Sequence, residues 1–156
     1  MKVTLCAVGR LAGRSEERAL CDDYIKRFDV TGRPLGWGPL HVVEVEDRKG
    51  GGMAAEARLL EAALPKGALL VTLDERGKLL SSPDWAERFR SWADQGRDLA
   101  LVIGGADGID PALRAKADFS LSFGKMVWPH KLVRVMVTEQ FYRAASIVAG
   151  SPYHRT

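Results

Sequence analysis

Three short stretches of this 156-residue sequence combine residue types that could do chemistry. The first is Gly104-Gly105-Ala106-Asp107-Gly108, which follows the apolar run Leu99 to Ile103. Glycine has no Cβ, so such a stretch either lets backbone approach a ligand closely or closes a tight turn. It lacks the Lys-Ser/Thr pair of a phosphate-cradling Walker loop and does not fit GxGxxG. The acidic residue that a dinucleotide site places about twenty positions on is also missing, since Gly124 stands there. The second stretch is Phe123-Gly124-Lys125-Met126-Val127-Trp128. Its large apolar side chains either fold back onto the core or form a slot for a flat ring, with exposed backbone groups reading the ring edge. The third is the polar end Tyr153-His154-Arg155, which reads as a mobile tail too small to build core.

Other candidates are weaker. No GxSxG occurs, so a Ser-His-Asp hydrolase is not indicated. His41 reads as a surface residue at a strand start, and His130, after Pro129, as a cap for the long helix that follows. Glu139 and Arg143 stand four apart, on one face of that helix, where they would form a surface ion pair. Cys6 and Cys21 form no CxxC or Cys/His cluster, which argues against a zinc ribbon or a disulfide scaffold. No metal is expected, and a reducing cytoplasm is the expected compartment.

The elements that must position these stretches alternate. Strands are expected over Val3 to Val8, Val42 to Glu46, Ala68 to Leu73, Leu99 to Ile103 and Phe119 to Phe123. Helices are expected after Ser15, over Ala54 to Leu64, after Ser82, after Asp110, and over Leu132 to Val148, stopped by Gly150 to Pro152. Residues 29–40, rich in Gly and Pro, read as a loop, and 74–78 as a turn. The order βαβαβαβαβα predicts an α/β fold with a mostly parallel sheet and helices on both faces, in a single domain over 1–156. Ligands of such sheets bind beyond the carboxyl ends of the strands, so the loops after Leu73, Ile103 and Phe123 become the candidate site. The last helix is apolar almost all round, which predicts burial on several sides and a second copy as one of the covers.

Composition sets outer bounds. Hydrophobic residues make up 46% and charged residues 28%, the balance of a globular domain. No run is long and apolar enough for a membrane span. The net charge of +3 is uneven: residues 121–156 carry five basic side chains against one acid, which suits an anionic partner such as nucleic acid or a solvated helix face.

The runs LVIGGADGI and LSFGKMVWPHKLVRVMVTEQFYRA, with the terminal YHR, resemble the RlmH family of bacterial large-subunit ribosomal RNA methyltransferases in the SPOUT superfamily. The likeness spans nearly the whole chain. It implies a C-terminal trefoil knot, a homodimer, and methyl transfer from S-adenosylmethionine to N3 of a pseudouridine in the helix 69 loop of 23S rRNA, in the ribosome. It implies a cofactor site at Leu73, Gly104, Phe123, Gly124, Lys125, Met126, Val127 and Trp128. S-adenosylmethionine carries no phosphate, so backbone groups and an apolar slot suffice for it. For the acceptor it suggests His154 as general base, Arg155 holding a phosphate or an anion, and Tyr153 on the base. Two other readings stand beside it. One is a non-enzymatic basic ribosome-binding protein, and the other an α/β protein holding another nucleotide-like ligand such as a flavin.

Overall fold

The computed structural model describes residues 1–155. In strand β1 (Val3–Val8), Val3, Leu5 and Ala7 face one core and Cys6 the other, the period of two that a pleated strand imposes. Strand β3 (Leu69–Leu79) and strand β4 (Leu99–Ile103) divide in the same way: Leu69, Val71, Leu99 and Leu101 face the first core, Leu70 and Val102 the second. With β2 (Leu40–Val45) and β5 (Phe119–Ser122) they form an all-parallel sheet in the order β2-β1-β4-β3-β5. Helices α1 (Glu16–Gly32), α3 (Ser82–Asp94) and α5 (His130–Ala149) contribute to the first core, and α2 (Gly52–Ala63) and α4 (Pro111–Ala115) to the second. This is the expected two-faced α/β layout.

Two sequence expectations are corrected. Residues 29–40 are not all loop, because α1 runs to Gly32 and a 3₁₀ turn follows at Arg33–Leu35. Tertiary packing overrides the poor local propensity there: Trp37 folds back until it is only 4% exposed, its ring 4.6 Å from that of Phe89. Residues 74–78 are more than a turn. Leu73 and Lys78 both pair with Leu121, so 74–77 bulge out of a continuing strand. Gly77 makes this possible, since a Cβ there would fall 2.6 Å from the Leu121 carbonyl carbon. The buried side of α5 is covered within the chain, as its apolar pattern predicts, while Leu132 stays 44% exposed. Phe141 lies against Phe28 of α1 and Phe89 of α3, and Val137, Ala144 and Ala145 are also buried within the chain.

The start of α5 is tied to the carboxyl ends of β1 and β2 by a buried ion pair. Arg134, 3% exposed, donates from Nη1 to Glu44 Oε2 at 2.5 Å and from Nη2 to the Gly9 carbonyl at 2.9 Å. Glu44 Oε2 also accepts the Leu11 amide at 2.7 Å. Removing one partner strands a charge, so Arg134→Met is expected to cost about 3 kcal/mol in urea unfolding. Burial pushes the Glu44 carboxyl up, but the Leu11 amide and the Arg134 guanidinium outweigh it and hold it below the usual range. Its contribution is therefore full above the unfolded value, about 4.3, and is lost as pH falls through the lowered native one. The urea midpoint should drop steeply on acidification in the unaltered protein and less steeply in Glu44→Gln.

Candidate active site

Strands β4, β3 and β5 lie side by side, so the loops leaving their carboxyl ends converge. They enclose a cavity of about 560 Å³. Of the residues expected to hold a cofactor, Leu73, Gly104, Phe123, Gly124, Met126, Val127 and Trp128 line it, and Lys125 does not. The glycine stretch closes on itself and faces the cavity. It is a tight turn, closed by the Gly108 amide donating to the Gly105 carbonyl at 3.0 Å, and it is also one wall of the cavity. Gly104 is required by the turn itself, because a Cβ there would lie 2.6 Å from the Gly108 carbonyl oxygen. Phe123 packs against the core, but the apolar loop beyond it does not fold back: Met126 is 72% and Val127 86% exposed.

Several polar residues at this cavity escaped the sequence reading, Asp74, Arg114 and Glu56 among them. Asp74 and Arg114 both line it and pair at 3.1 Å, although 40 positions separate them. Glu56 on α2 packs behind the glycine turn, and its Oε2 is buried without a hydrogen-bond partner. Burial first, then the charges of Asp107 and Asp47, push that carboxyl up. No spacing rule brings these residues together, because the crossovers of the sheet do so. The cavity combines an apolar slot, exposed glycine backbone and the Asp74–Arg114 pair, with Glu75, Arg76, Asp107 and His130 also on its wall. That suits a ligand with a flat ring and hydroxyls rather than a polyphosphate. Among the described residues no cluster of three or more His, Cys, Asp or Glu could hold a metal ion.

The family model described as "Predicted SPOUT methyltransferase" matches residues 1–154. The chain belongs to the SPOUT methyltransferase family. A curated relative from Ruegeria pomeroyi, named Ribosomal RNA large subunit methyltransferase H, is 69% identical over 99% of both chains. Relatives of the same name from Ruegeria sp. (strain TM1040) and Roseobacter denitrificans are each 66% identical, also over 99% of both chains. The solved SpoU methyltransferase AviRb from Streptomyces viridochromogenes, in complex with its cofactor AdoMet, is 16% identical with a TM-score of 0.42, over 92% of this chain and 57% of that one.

Among the described residues, the tail of this SPOUT chain does not line this cavity. It contacts Glu139 and Arg143, which belong to a second cavity, of about 550 Å³, between the end of β3, the start of α3 and the middle of α5. Trp85, Glu139, Gln140 and Arg143 line this second cavity, and Phe123 and Gly124 border both. The tail is not loose, which corrects the expectation from its polarity. The Tyr153 ring packs 4.5 Å from that of Tyr142, and its hydroxyl donates to Glu139 Oε1 at 2.8 Å. Arg143 Nε donates to the same oxygen at 2.9 Å, and Arg143 Nη1 lies 3.1 Å from His154 Nδ1. The Glu139–Arg143 pair is thus the half-buried hub that holds the tail, rather than a free surface pair. Burial, then the Glu139 contact, raise the Tyr153 phenol well above its ordinary value, so it stays a donor. Arg155 is exposed.

Proposed function

We propose that this chain transfers a methyl group from S-adenosylmethionine to N3 of a pseudouridine in the helix 69 loop of 23S rRNA, in the cytoplasm and on the ribosome. The observation that carries the reading is the cavity at three adjacent strand ends, apolar and glycine-walled, in a SPOUT chain with full-length relatives named as large-subunit rRNA methyltransferases. The cofactor supplies an electrophilic methyl on a sulfonium. Phe123, Met126, Val127 and Trp128 would clasp its ring and exclude water, while Gly104 lets backbone approach it. Acceptor nitrogen, methyl carbon and sulfur must lie in line, so much of the chain's work is positioning. Tyr153, His154 and Arg155 serve the acceptor side, the first two held by Glu139 and Arg143 of the second cavity, which meets the first at Phe123 and Gly124.

The same reading includes one domain over the whole chain, a C-terminal trefoil knot and a homodimer. Support for the dimer is the apolar rim at the cavity, where Met126, Val127 and Trp128 are 72%, 86% and 41% exposed, with Leu132 of α5 also 44% exposed. A second copy would cover such a rim. Light scattering at micromolar concentration should give twice the chain mass, and a monomer there would refute the dimer.

The function is tested by two measurements. Calorimetric titration with S-adenosylmethionine should give saturable heat, with no flavin absorbance in the purified protein. Mass mapping of helix 69 from a strain lacking the gene should show one methyl missing, restored when the gene is returned. Saturable heat with an unchanged RNA mass would move the target elsewhere. No heat together with an unchanged mass would favour the non-enzymatic, ribosome-binding reading.

A further inference from the structure

We infer that His154 acts on the acceptor base as a hydrogen-bond donor, through the ring nitrogen that faces away from Arg143, and not as the general base. This rests on the methyl-transfer reading above. A guanidinium carries N–H donors and no acceptor. Arg143 Nη1 stands 3.1 Å from His154 Nδ1, so that ring nitrogen must offer a lone pair. In a neutral imidazole the other nitrogen then bears the hydrogen. Turning the ring over would exchange the names of the two nitrogens and leave the outward one still protonated.

Arg143 cannot easily turn away. Its Nε and Nη2 both donate to Glu139 Oε1, at 2.9 and 2.5 Å. Glu139 in turn accepts the Tyr153 hydroxyl at 2.8 Å and Gln140 Nε2 at 3.0 Å, and Gln140 Oε1 accepts Ser82 Oγ at 3.0 Å. A continuous chain of hydrogen bonds thus runs from the first residue of α3 to the tail. The other titratable and charged groups packed here are Tyr24 and Arg27 of α1, against Tyr153 and Tyr142. Both oxygens of Glu139 are engaged, so this cluster presents donors to the acceptor.

Donors are what the reaction needs. The N3–H of the acceptor lies between two carbonyls, and losing its proton to water spreads negative charge over both oxygens. A fixed N–H aimed at one of them stabilises that anion. The N3–carbon bond then forms as the carbon–sulfur bond breaks. The electron pair returns to sulfur, and anion and sulfonium both become neutral. No protein group has to accept the proton.

Two measurements test this. In ¹⁵N spectra of histidine-labelled free protein, Nδ1 of His154 should read as a lone-pair nitrogen and Nε2 as protonated, and Arg143→Met should mix the two forms. The opposite assignment, or mixing already in the unaltered protein, overturns the donor role. In single-turnover methylation of ribosomes, His154→Ala should lose about 100-fold. His154→Gln keeps an acceptor for Arg143 and an outward N–H, and should stay within about tenfold of the unaltered protein. The unaltered rate should rise with pH toward ionisation of the acceptor, without a limb that His154→Gln removes. Such a limb, with His154→Gln as slow as His154→Ala, overturns the donor role and leaves methyl transfer standing. No transfer by the unaltered protein overturns both.

Discussion

Gly104→Ala is expected to raise the Kd for S-adenosylmethionine by about 100-fold or more while the protein remains folded, a loss of about 2.7 kcal/mol of binding. The effect comes from the turn. An added Cβ would lie 2.6 Å from the Gly108 carbonyl oxygen and 2.9 Å from Ile109 Cγ1, and neither is the free end of a flexible chain. The 105–109 segment must move, and it carries much of one cavity wall. Overpacking of this kind costs about 1–3 kcal/mol of stability, which a domain of this size withstands. Gly13→Ala is the control, since a Cβ there meets nothing within 4 Å. The measurement is calorimetric titration of both variants beside thermal melts. Unchanged affinity in a folded Gly104→Ala protein would remove this loop from the site.

Removing residues 153–156 is expected to slow methyl transfer more than about 100-fold, the scale set by losing positioned donors to the acceptor. Cofactor affinity should hardly change, because no described tail residue lines the first cavity. The melting temperature should fall. Tyr153 packs on Tyr142 beneath the Arg143 guanidinium, 4.6 Å from its ring centroid, and its hydroxyl satisfies Glu139. Losing that ring and hydrogen bond is worth about 2 kcal/mol, or about 4–8 °C for a chain of this length. Rates on ribosomes, calorimetric affinity and melting curves, taken together, check all three statements. Full-rate methylation by the shortened chain would exclude the tail from the chemistry.

Much was legible because local patterns are strong here. The doubly buried runs Leu69 to Leu73 and Leu99 to Ile103 announce central parallel strands, since both of their faces lie under helices. Ser15 accepts the Arg18 amide and Asp110 the Ala112 amide, the caps their residue types suggest. The two loops at the strand ends were legible because glycine and large apolar residues are out of place in ordinary connections. The end of α1 was not legible, because the residues that disfavour helix at Gly32 to Leu35 act locally, while burial of Trp37 is a tertiary gain.

By itself, the sequence determined the alternation of elements, the two-faced sheet and the loops that meet at its carboxyl edge, since each depends on periodicity or residue type within one segment. Only the tertiary structure decided which distant groups meet. It sets Asp74 against Arg114, Arg134 against Glu44, and His154 against an Arg143 already held by Glu139. The state of His154 turns on that last contact, because a histidine's proton follows the partner of its other nitrogen. Sequence spacing shows that the two residues are eleven positions apart. It does not show that the chain turns back at Gly150, in a left-handed conformation, to lay the tail along the helix it has just left.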